Sequence, residues 1–423
     1  MIYSINERPP FGKLILFSIQ LMLSVFTATA LIAQVCGVNM SGALVGAGLS
    51  TIIYAIATKF KSPMYLSNSG AFVAPVIVAL AAGGYKAVAL GGLVSCIVYI
   101  IFGLIFTMVN VDMLYKFMPK VLIGSITVVI GVNLMSFISG YIGNTGNIGL
   151  IIAMVTVLAI ALSSHYLKGT LSMFPFLIGT LVGYIVSIPF GLVDFSVFNG
   201  IGFIKMPTLA FTQWENIDFS IISIIVIYVA FTISAMCECL SDHAALGNII
   251  GVDLYKEPGI NRIFVGEGLS NLTTSLFGGL GACSYGEGVA CVGFSKCASV
   301  YTTIGAAIIM ILLGFIEPVQ AFIASIPSCV IGGGTACVLY GFISASGIKL
   351  LKDVDLNNQK NLIICSVVMS IGISGVVLGG DTFSLSGTAL ALIVGVVLNL
   401  ILKDKKEDLD NPIEGQISMF DKE

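Results

Sequence analysis

The sequence carries little charge. Only 10% of its 423 residues are Asp, Glu, Lys or Arg, whereas a soluble domain has about 25%. The net charge is only −3, and without a basic patch nucleic acid is not expected as a partner. The ten cysteines include no CxxC pair, so neither a metal site nor a cofactor is expected, even where Cys237 and Cys239 flank an acid. The sequence contains no nucleophile triad and no phosphate loop, so it gives little support for an enzymatic function.

Apolar residues replace the missing charge. They make up 57% of the chain, and the mean hydropathy is +1.04. About 20 apolar residues cross a bilayer, so the pattern predicts an all-α polytopic membrane protein with 14 transmembrane segments, of which the third and tenth are too short to span as plain helices. These segments are 14–34, 40–58, 70–82, 87–109, 121–140, 148–164, 170–190, 219–250, 262–280, 287–296, 299–316, 319–343, 361–379 and 386–402.

The distribution of positive charge supports this count. If the N-terminus is cytoplasmic and the segments alternate, only Lys86 and Lys205 of the 19 lysines and arginines lie outside. Lysine and arginine are enriched in cytoplasmic loops. The sequence therefore predicts that the N-terminus and the C-terminus are both cytoplasmic.

The two halves of the chain echo each other. The stretch 45–50 (VGAGLS) recurs at 265–270 (VGEGLS), and the pattern at 119–127 recurs at 327–335. Seven segments per half is an odd number, so the second half enters the membrane inverted. Inverted repeats with paired interrupted segments are typical of secondary transporters. We predict a first repeat at 1–205 (segments 1–7), a second at 206–403 (segments 8–14) and a tail at 404–423.

Glu287 is the central candidate residue. It lies between Gly286 and Gly288 at the start of short segment ten. A carboxylate at membrane depth is costly unless it faces a cavity or a partner, and irregular backbone there is tolerated only around a cavity or inside protein. The pattern favours a broken helix that points an acid at something polar. The alternative is a short loop with a solvated glutamate.

Segment three has a similar interruption. Small and polar residues at 65–71 precede Phe72 and Pro75. If this piece is extended, the backbone at Gly70 and Ala71 is free to bond a ligand edge, and Phe72 or Tyr285 can stack on a flat ring. The alternative is that residues 67–69 only cap a short helix.

Segment eight carries two more acids. Glu238 and Asp242 are four residues apart and share one helix face. Two ionised acids at that spacing repel each other, which suits a proton carrier. Alternatively, Asp242 pairs with His243 or water near the helix end. His243 is expected to face away from Glu238, and Glu267 to be a helix-contact or relay residue.

These motifs resemble the nucleobase–ascorbate transporter family, in particular its bacterial uracil permease branch, nearly end to end. The most specific part is Tyr285-Gly286-Glu287 together with Glu238. Further matching stretches are 7–10 (ERPP), Gln20, 65–66, 71–72, 75–76, 248–249, 253–254, 258–259, Arg262, 268–270, 339–341 and 345–348.

The resemblance implies a 7+7 inverted-repeat fold with short β-strands in segments three and ten. Segments 1–4 and 8–11 would form a core domain, and segments 5–7 and 12–14 a gate domain. It implies proton-coupled import of a nucleobase across the plasma membrane, with protons as the coupling ion, by a homodimer. Glu238 and Glu287 would bind the base, with backbone contacts from Gly70, Ala71 and Gly286, and Glu238, Asp242 and Glu287 would carry the proton.

Four positions depart from the family pattern. Leu21 replaces a histidine, Gly70 an aromatic residue, Asp242 the histidine of uracil-type members, and Gly288 an asparagine. We therefore expect uracil first and xanthine or another purine next. The rival readings are a sulfate- or bicarbonate-type anion transporter of the same architecture and, with less support, a channel.

Overall fold

A computed structural model of the chain describes residues 1–108, 119–136, 138–143, 145–168, 175–214, 221–376, 378–380, 383–385 and 387–402. The described chain is mostly helical and divides into two compact units. The first unit comprises the described residues within 1–108 and 136–339, and the second comprises those within 109–135 and 340–402. The predicted tail at 404–423 lies outside the described residues.

The first unit contains most of the elements that precede residue 325 and, among them, the stretches around Phe72 and Glu287. Its elements are α1 (Phe11–Val35), α2 (Met40–Ala57), β1 (Leu66–Asn68), α3 (Val73–Met108), α5 (Ile138–Gly143), α6 (Gly146–Tyr166), α7 (Pro175–Ser187), α8 (Ile221–Ile250), α9 (Ile260–Phe277), β2 (Ala282–Ser284), α10 (Gly286–Ser295), α11 (Val300–Leu313) and α12 (Glu317–Ala324).

The second unit contains α4 (Lys120–Met135), α14 (Gln359–Ile373), α15 (Gly387–Ile401) and an antiparallel pair, β3 (Leu378–Gly380) with β4 (Phe383–Leu385). Helix α13 (Ala336–Lys352) begins in the first unit and continues in the second. Within the second unit α4 and α13 approach closely, because a Cβ at Gly124 would lie 2.9 Å from the carbonyl oxygen of Gly347.

Six helical stretches among the described residues are long and apolar enough to cross a membrane. A chain with several such helices is a multi-pass membrane protein. These stretches are Phe11–Val35, Met40–Ala57, Gly70–Thr107, Lys120–Ile142, Gly146–Tyr166 and Ile224–Gly247.

Predicted segments three and four are two helical pieces of α3 that a break at two glycines separates. Inside α3, Gly83 (φ −153°) and Gly84 (φ +58°) are not helical. Gly84 adopts a left-handed φ, which glycine tolerates without steric cost. The break that separates the two predicted segments is therefore a two-glycine kink within continuous backbone.

The predicted single segment at 319–343 is wrong as one helix. The structure ends α12 at Ala324, continues with a π-helical stretch at Cys329–Thr335, and then begins α13. Pro327 lies in the gap. Proline has no N–H and clashes with the preceding turn, so the hydrophobic run is interrupted although its apolar composition is continuous.

Strands β1 and β2 form an antiparallel pair inside the helical unit. Leu66 is opposite Ser284, and Asn68 is opposite Ala282. Every residue of both strands is buried. The pair places two interrupted stretches, about half a chain apart in sequence, directly against each other.

Candidate functional site

Each strand of the β1–β2 pair leads into a helix. After β1, Ser69 N–H donates to the Gly281 carbonyl at 2.9 Å, and a 3₁₀ turn at Gly70–Phe72 opens α3. After β2, Tyr285 N–H donates to the Tyr65 carbonyl at 3.2 Å, and α10 begins at Gly286. Because the strands are antiparallel, the two helices start at opposite ends of the pair. The positive dipole end of each helix therefore lies near the β1–β2 pair.

Buried polar side chains hold the β1–β2 pair in place. The Tyr285 hydroxyl donates to the Asn68 carbonyl at 2.6 Å. The Asn68 side chain accepts from Leu280 N–H at 2.9 Å and donates to the Ala43 carbonyl at 3.3 Å. Buried polar groups cost free energy unless they are hydrogen-bonded. These bonds therefore hold both extended stretches in one arrangement.

Three carboxylates lie beside the β1–β2 pair. Glu238 of α8 is exposed, although its helix neighbours Cys239 and Leu240 are buried, and its Oε2 lies 3.5 Å from the Ser69 hydroxyl. Asp242, one turn later, and Glu287 of α10 are each partly exposed. Acids that are exposed or partly exposed on otherwise apolar helices indicate a water-accessible opening rather than lipid contact.

Gly286 forms part of this opening. It is exposed, and among the described residues outside its own helix a Cβ at this position would come within 4 Å only of Asp242 Oδ1, at 3.7 Å. Gly70, at the other helix start, is partly exposed, while Ala71 is buried and its N–H donates to the Ser69 hydroxyl at 3.1 Å. The backbone at the two glycines is therefore the accessible part of each helix start. Ser69 is a helix cap, and its hydroxyl also approaches Glu238.

Both candidate stacking rings are packed against protein. Phe72 is fully buried, and its ring stacks on Tyr228 with centroids 6.1 Å apart and an interplanar angle of 29°. Tyr285 is 6% exposed, with its hydroxyl engaged by Asn68. Their contacts in this structure fix the strands and α3.

Sequence reasoning missed Ser284. Its hydroxyl donates to Asp242 Oδ2 at 2.9 Å, and its backbone N–H donates to Glu267 Oε1 at 3.2 Å. Ser284 thus links the opening to Glu267, which is fully buried on α9. The only signal in the sequence was its position directly before Tyr285-Gly286-Glu287.

Among the described residues, one group of side chains has its polar atoms close enough for a metal ion. Cys239, His243 and Glu267 are buried, with their ligand atoms within 4.8 Å of one another. Both imidazole nitrogens of His243 are already hydrogen-bonded, however, at 2.7 Å to the Cys239 carbonyl and at 2.5 Å to the Tyr54 hydroxyl. The group is therefore better described as a buried hydrogen-bonding network.

The sequence matches the Permease family over residues 12–379. The chain belongs to this family. The uracil permease of Bacillus caldolyticus is 34% identical to this permease, covering 98% of this chain and 97% of the relative. The uracil permease of Escherichia coli K12 is 34% identical over 94% and 93% of the two chains, and that of Bacillus subtilis 32% over 93% of both. The relatives are permeases, so this chain is a membrane transporter and not an enzyme.

Two solved structures share the fold of this permease. The transmembrane domain of the cyanobacterial bicarbonate transporter BicA has a TM-score of 0.63 at 16% identity, covering 94% of this chain and 100% of that chain. SLC26A9 has a TM-score of 0.67 at 12% identity, covering 92% of this chain and 64% of that chain. At such low identity the similarity is one of fold alone.

Proposed function

We propose that this permease is a proton-coupled carrier that imports a nucleobase, uracil first and xanthine or another purine next, across the plasma membrane. The observation that carries the proposal is the opening lined by Glu238, Asp242 and Glu287 beside two helix starts, in a chain whose near-full-length relatives include uracil permeases.

The chemistry of the opening suits a nucleobase edge. Uracil presents ring N–H donors next to carbonyl acceptors. Ionised Glu287 and Glu238 accept from N–H groups, and backbone N–H groups near Gly286 and Gly70 donate to carbonyl oxygens. A hydrogen bond to a charged group contributes about 1.5–3 kcal/mol. We place Tyr285, Ala71 and Phe72 at the rim of the same site, where they hold these groups in position.

Proton coupling is supported by the clustering of acids. Glu238, Asp242 and Glu287 lie around one opening, and the structure places no lysine or arginine in contact with them among its described hydrogen bonds and ion pairs. A carboxylate at close range disfavours the ionised form of its neighbour, because like charges repel. A proton that enters with the base would relieve this repulsion, and its loss would restore it.

The proposed architecture comprises fourteen segments as a 7+7 inverted repeat, at 1–205 and 206–403, with both termini cytoplasmic. Segments 1–4 and 8–11 form the core, which moves against a gate of segments 5–7 and 12–14, and two copies form a homodimer. The pairing of β1 with β2 supports this arrangement, because it joins corresponding interruptions of the two halves at the site.

An anion carrier is the second candidate, since BicA, which shares the fold, is a bicarbonate transporter, and a further structure of similar fold is the murine anion transporter Slc26a9. The site argues against it. Three carboxylates around one opening repel an anionic ligand. The nucleobase therefore has the stronger support.

A ligand panel on purified protein tests the substrate. Thermal unfolding is measured with uracil, thymine, xanthine, guanine, adenine, urate, sulfate and bicarbonate. A ligand at 100 times its dissociation constant stabilises by about 2.7 kcal/mol, so a micromolar binder gives a clear shift. We expect uracil to shift the transition most. A shift with sulfate or bicarbonate and none with any base would reject the proposal.

A further inference from the structure

His243 is a buried titratable residue to which the proposed site assigns no role. It lies on α8 directly after Asp242 and is 1% exposed. Its Nδ1 is 2.7 Å from the Cys239 carbonyl, and its Nε2 is 2.5 Å from the hydroxyl of Tyr54 on α2. The Tyr54 hydroxyl lies 2.9 Å from the Ser62 hydroxyl. The three side chains form a continuous row of hydrogen bonds.

Counting protons shows that this row has two consistent states. A carbonyl only accepts, so Nδ1 carries a proton in both. If Nε2 is unprotonated, it accepts a hydrogen bond from the Tyr54 hydroxyl. Because that hydroxyl has only one proton to donate, Ser62 must then be the donor to Tyr54. If Nε2 is protonated, it donates to Tyr54, and Tyr54 donates to Ser62. The direction of both bonds therefore reverses when His243 gains a proton.

Burial disfavours a charged imidazole at His243, so a proton held there needs a negative charge close by. The titratable groups that face it are Tyr54 of α2, Glu267 of α9 and Cys239 of its own helix, with ligand atoms of Cys239, His243 and Glu267 within 4.8 Å of one another. Beyond them, Asp242 of α8 is linked to Glu267 through Ser284 of β2, and Cys283 precedes Ser284 in the same strand. An imidazolium beside a carboxylate in a medium of low dielectric is stabilised by that charge.

The row runs from the network behind the site towards the protein surface. At its inner end, Ser284 connects Glu267 to Asp242 in the opening. At its outer end, Ser62 is buried but directly follows Lys61, whose side chain is 44% exposed. Two hydroxyl groups therefore separate His243 from the chain segment that meets solvent.

We propose that His243 is a proton-binding residue of the transport cycle and is loaded and unloaded through Tyr54 and Ser62. The proposal rests on proton coupling in the proposed function. In loading, a hydronium ion gives a proton to Ser62 and becomes water, Ser62 gives its own to Tyr54, and Tyr54 gives its own to Nε2. Each hydroxyl regains the proton it passes on, so the net change is one proton moved from the hydronium ion to His243.

Proteoliposomes test this with labelled uracil as the probe. Tyr54→Phe breaks the row while keeping the ring, and His243→Asn keeps a donor for the Cys239 carbonyl but cannot take up a proton. Tyr99→Phe is the matched control, because Tyr99 is a buried tyrosine of α3 whose hydroxyl has no partner among the described residues. We expect Tyr54→Phe and His243→Asn to lower proton-driven uptake by about tenfold or more, as loss of a positioned proton-transfer group does.

Two further readouts separate this role from a structural one. Uracil binding and uracil exchange without a pH gradient should stay within about twofold of wild type in both variants, since neither residue lines the opening. The proposed proton path through Tyr54 and Ser62 is wrong if the Tyr54→Phe and His243→Asn variants take up uracil as fast as the Tyr99→Phe variant. It is also wrong if these two variants lose uracil binding and exchange in parallel with uptake. If wild-type uptake ignores the pH gradient, proton coupling itself fails.

Discussion

The opening beside Glu287 can be tested by adding one methyl group to it. Gly286 and Gly288 flank Glu287 in the first turn of α10. Outside its own helix and chain neighbours, a Cβ at Gly286 would come within 4 Å of one atom in the described part of the chain, Asp242 Oδ1 at 3.7 Å. A Cβ at Gly288 would lie 3.4 Å from the Tyr65 Cβ, on the buried side of the helix. Neither methyl group clashes, but only the first one enters the proposed site.

The two alanine variants should therefore differ in binding and not in folding. Replacing glycine with alanine in a helix stabilises by up to about 1 kcal/mol, so neither variant should unfold earlier than wild type. A methyl group forced into an occupied site costs about 1–3 kcal/mol. For Gly286→Ala this predicts a dissociation constant raised by about 5- to 150-fold, whereas Gly288→Ala should bind as wild type does.

The assay is equilibrium binding of labelled uracil to the purified variants, with thermal unfolding without ligand as the folding control. Equal affinity of Gly286→Ala and wild type would show that Gly286 does not line the site. An equal loss in Gly288→Ala would show that the effect comes from the helix and not from the opening. Either result would refute the placement of the ligand.

Three further predictions follow from individual contacts. Gly91→Ala should destabilise by about 1–3 kcal/mol in thermal unfolding, since its Cβ would lie 2.1 Å from the buried Tyr228 ring. Gly12→Ala in α1, with no atom of the described residues within 4 Å, should not destabilise. Glu238→Gln should make uptake insensitive to a protonophore, and retained sensitivity would exclude Glu238 from coupling. Lys205 donates to Glu317 at 2.7 Å and holds the pKa of that carboxyl below its usual value. The stability advantage of wild type over Lys205→Gln should therefore be present at neutral pH and disappear as pH falls through the Glu317 pKa, and an advantage that is unchanged in acid would contradict this ion pair.

The sequence was sufficient where the signal is local. Long apolar runs predicted helices such as α1, α2 and α6, because apolar composition and length are properties of a single stretch. The glycines around Glu287 and the polar residues before Phe72 indicated interrupted helices for the same reason. For the run at 319–343 the prediction of one segment was wrong, because the apolar composition continues through the break at Pro327.

The contacts within the site are not local and could not be read from the sequence. That Ser284 bonds both Asp242 and Glu267, and that Tyr54 meets His243, depends on how α2, α8, α9 and β2 pack together. The stacking of Phe72 on Tyr228 is a contact of the same kind. An aromatic residue beside a glycine-rich turn fits a ligand contact and a packing contact equally well until its neighbours are known.

The central claim is that Glu287 binds a nucleobase, and equilibrium binding of labelled uracil to Glu287→Gln tests it most directly. The exposed Glu7→Gln variant is the control for removing a carboxylate elsewhere. Loss of a hydrogen bond to a charged group costs about 1.5–3 kcal/mol, so the account predicts at least about a tenfold loss of affinity in Glu287→Gln and none in Glu7→Gln. Wild-type affinity in Glu287→Gln would contradict it.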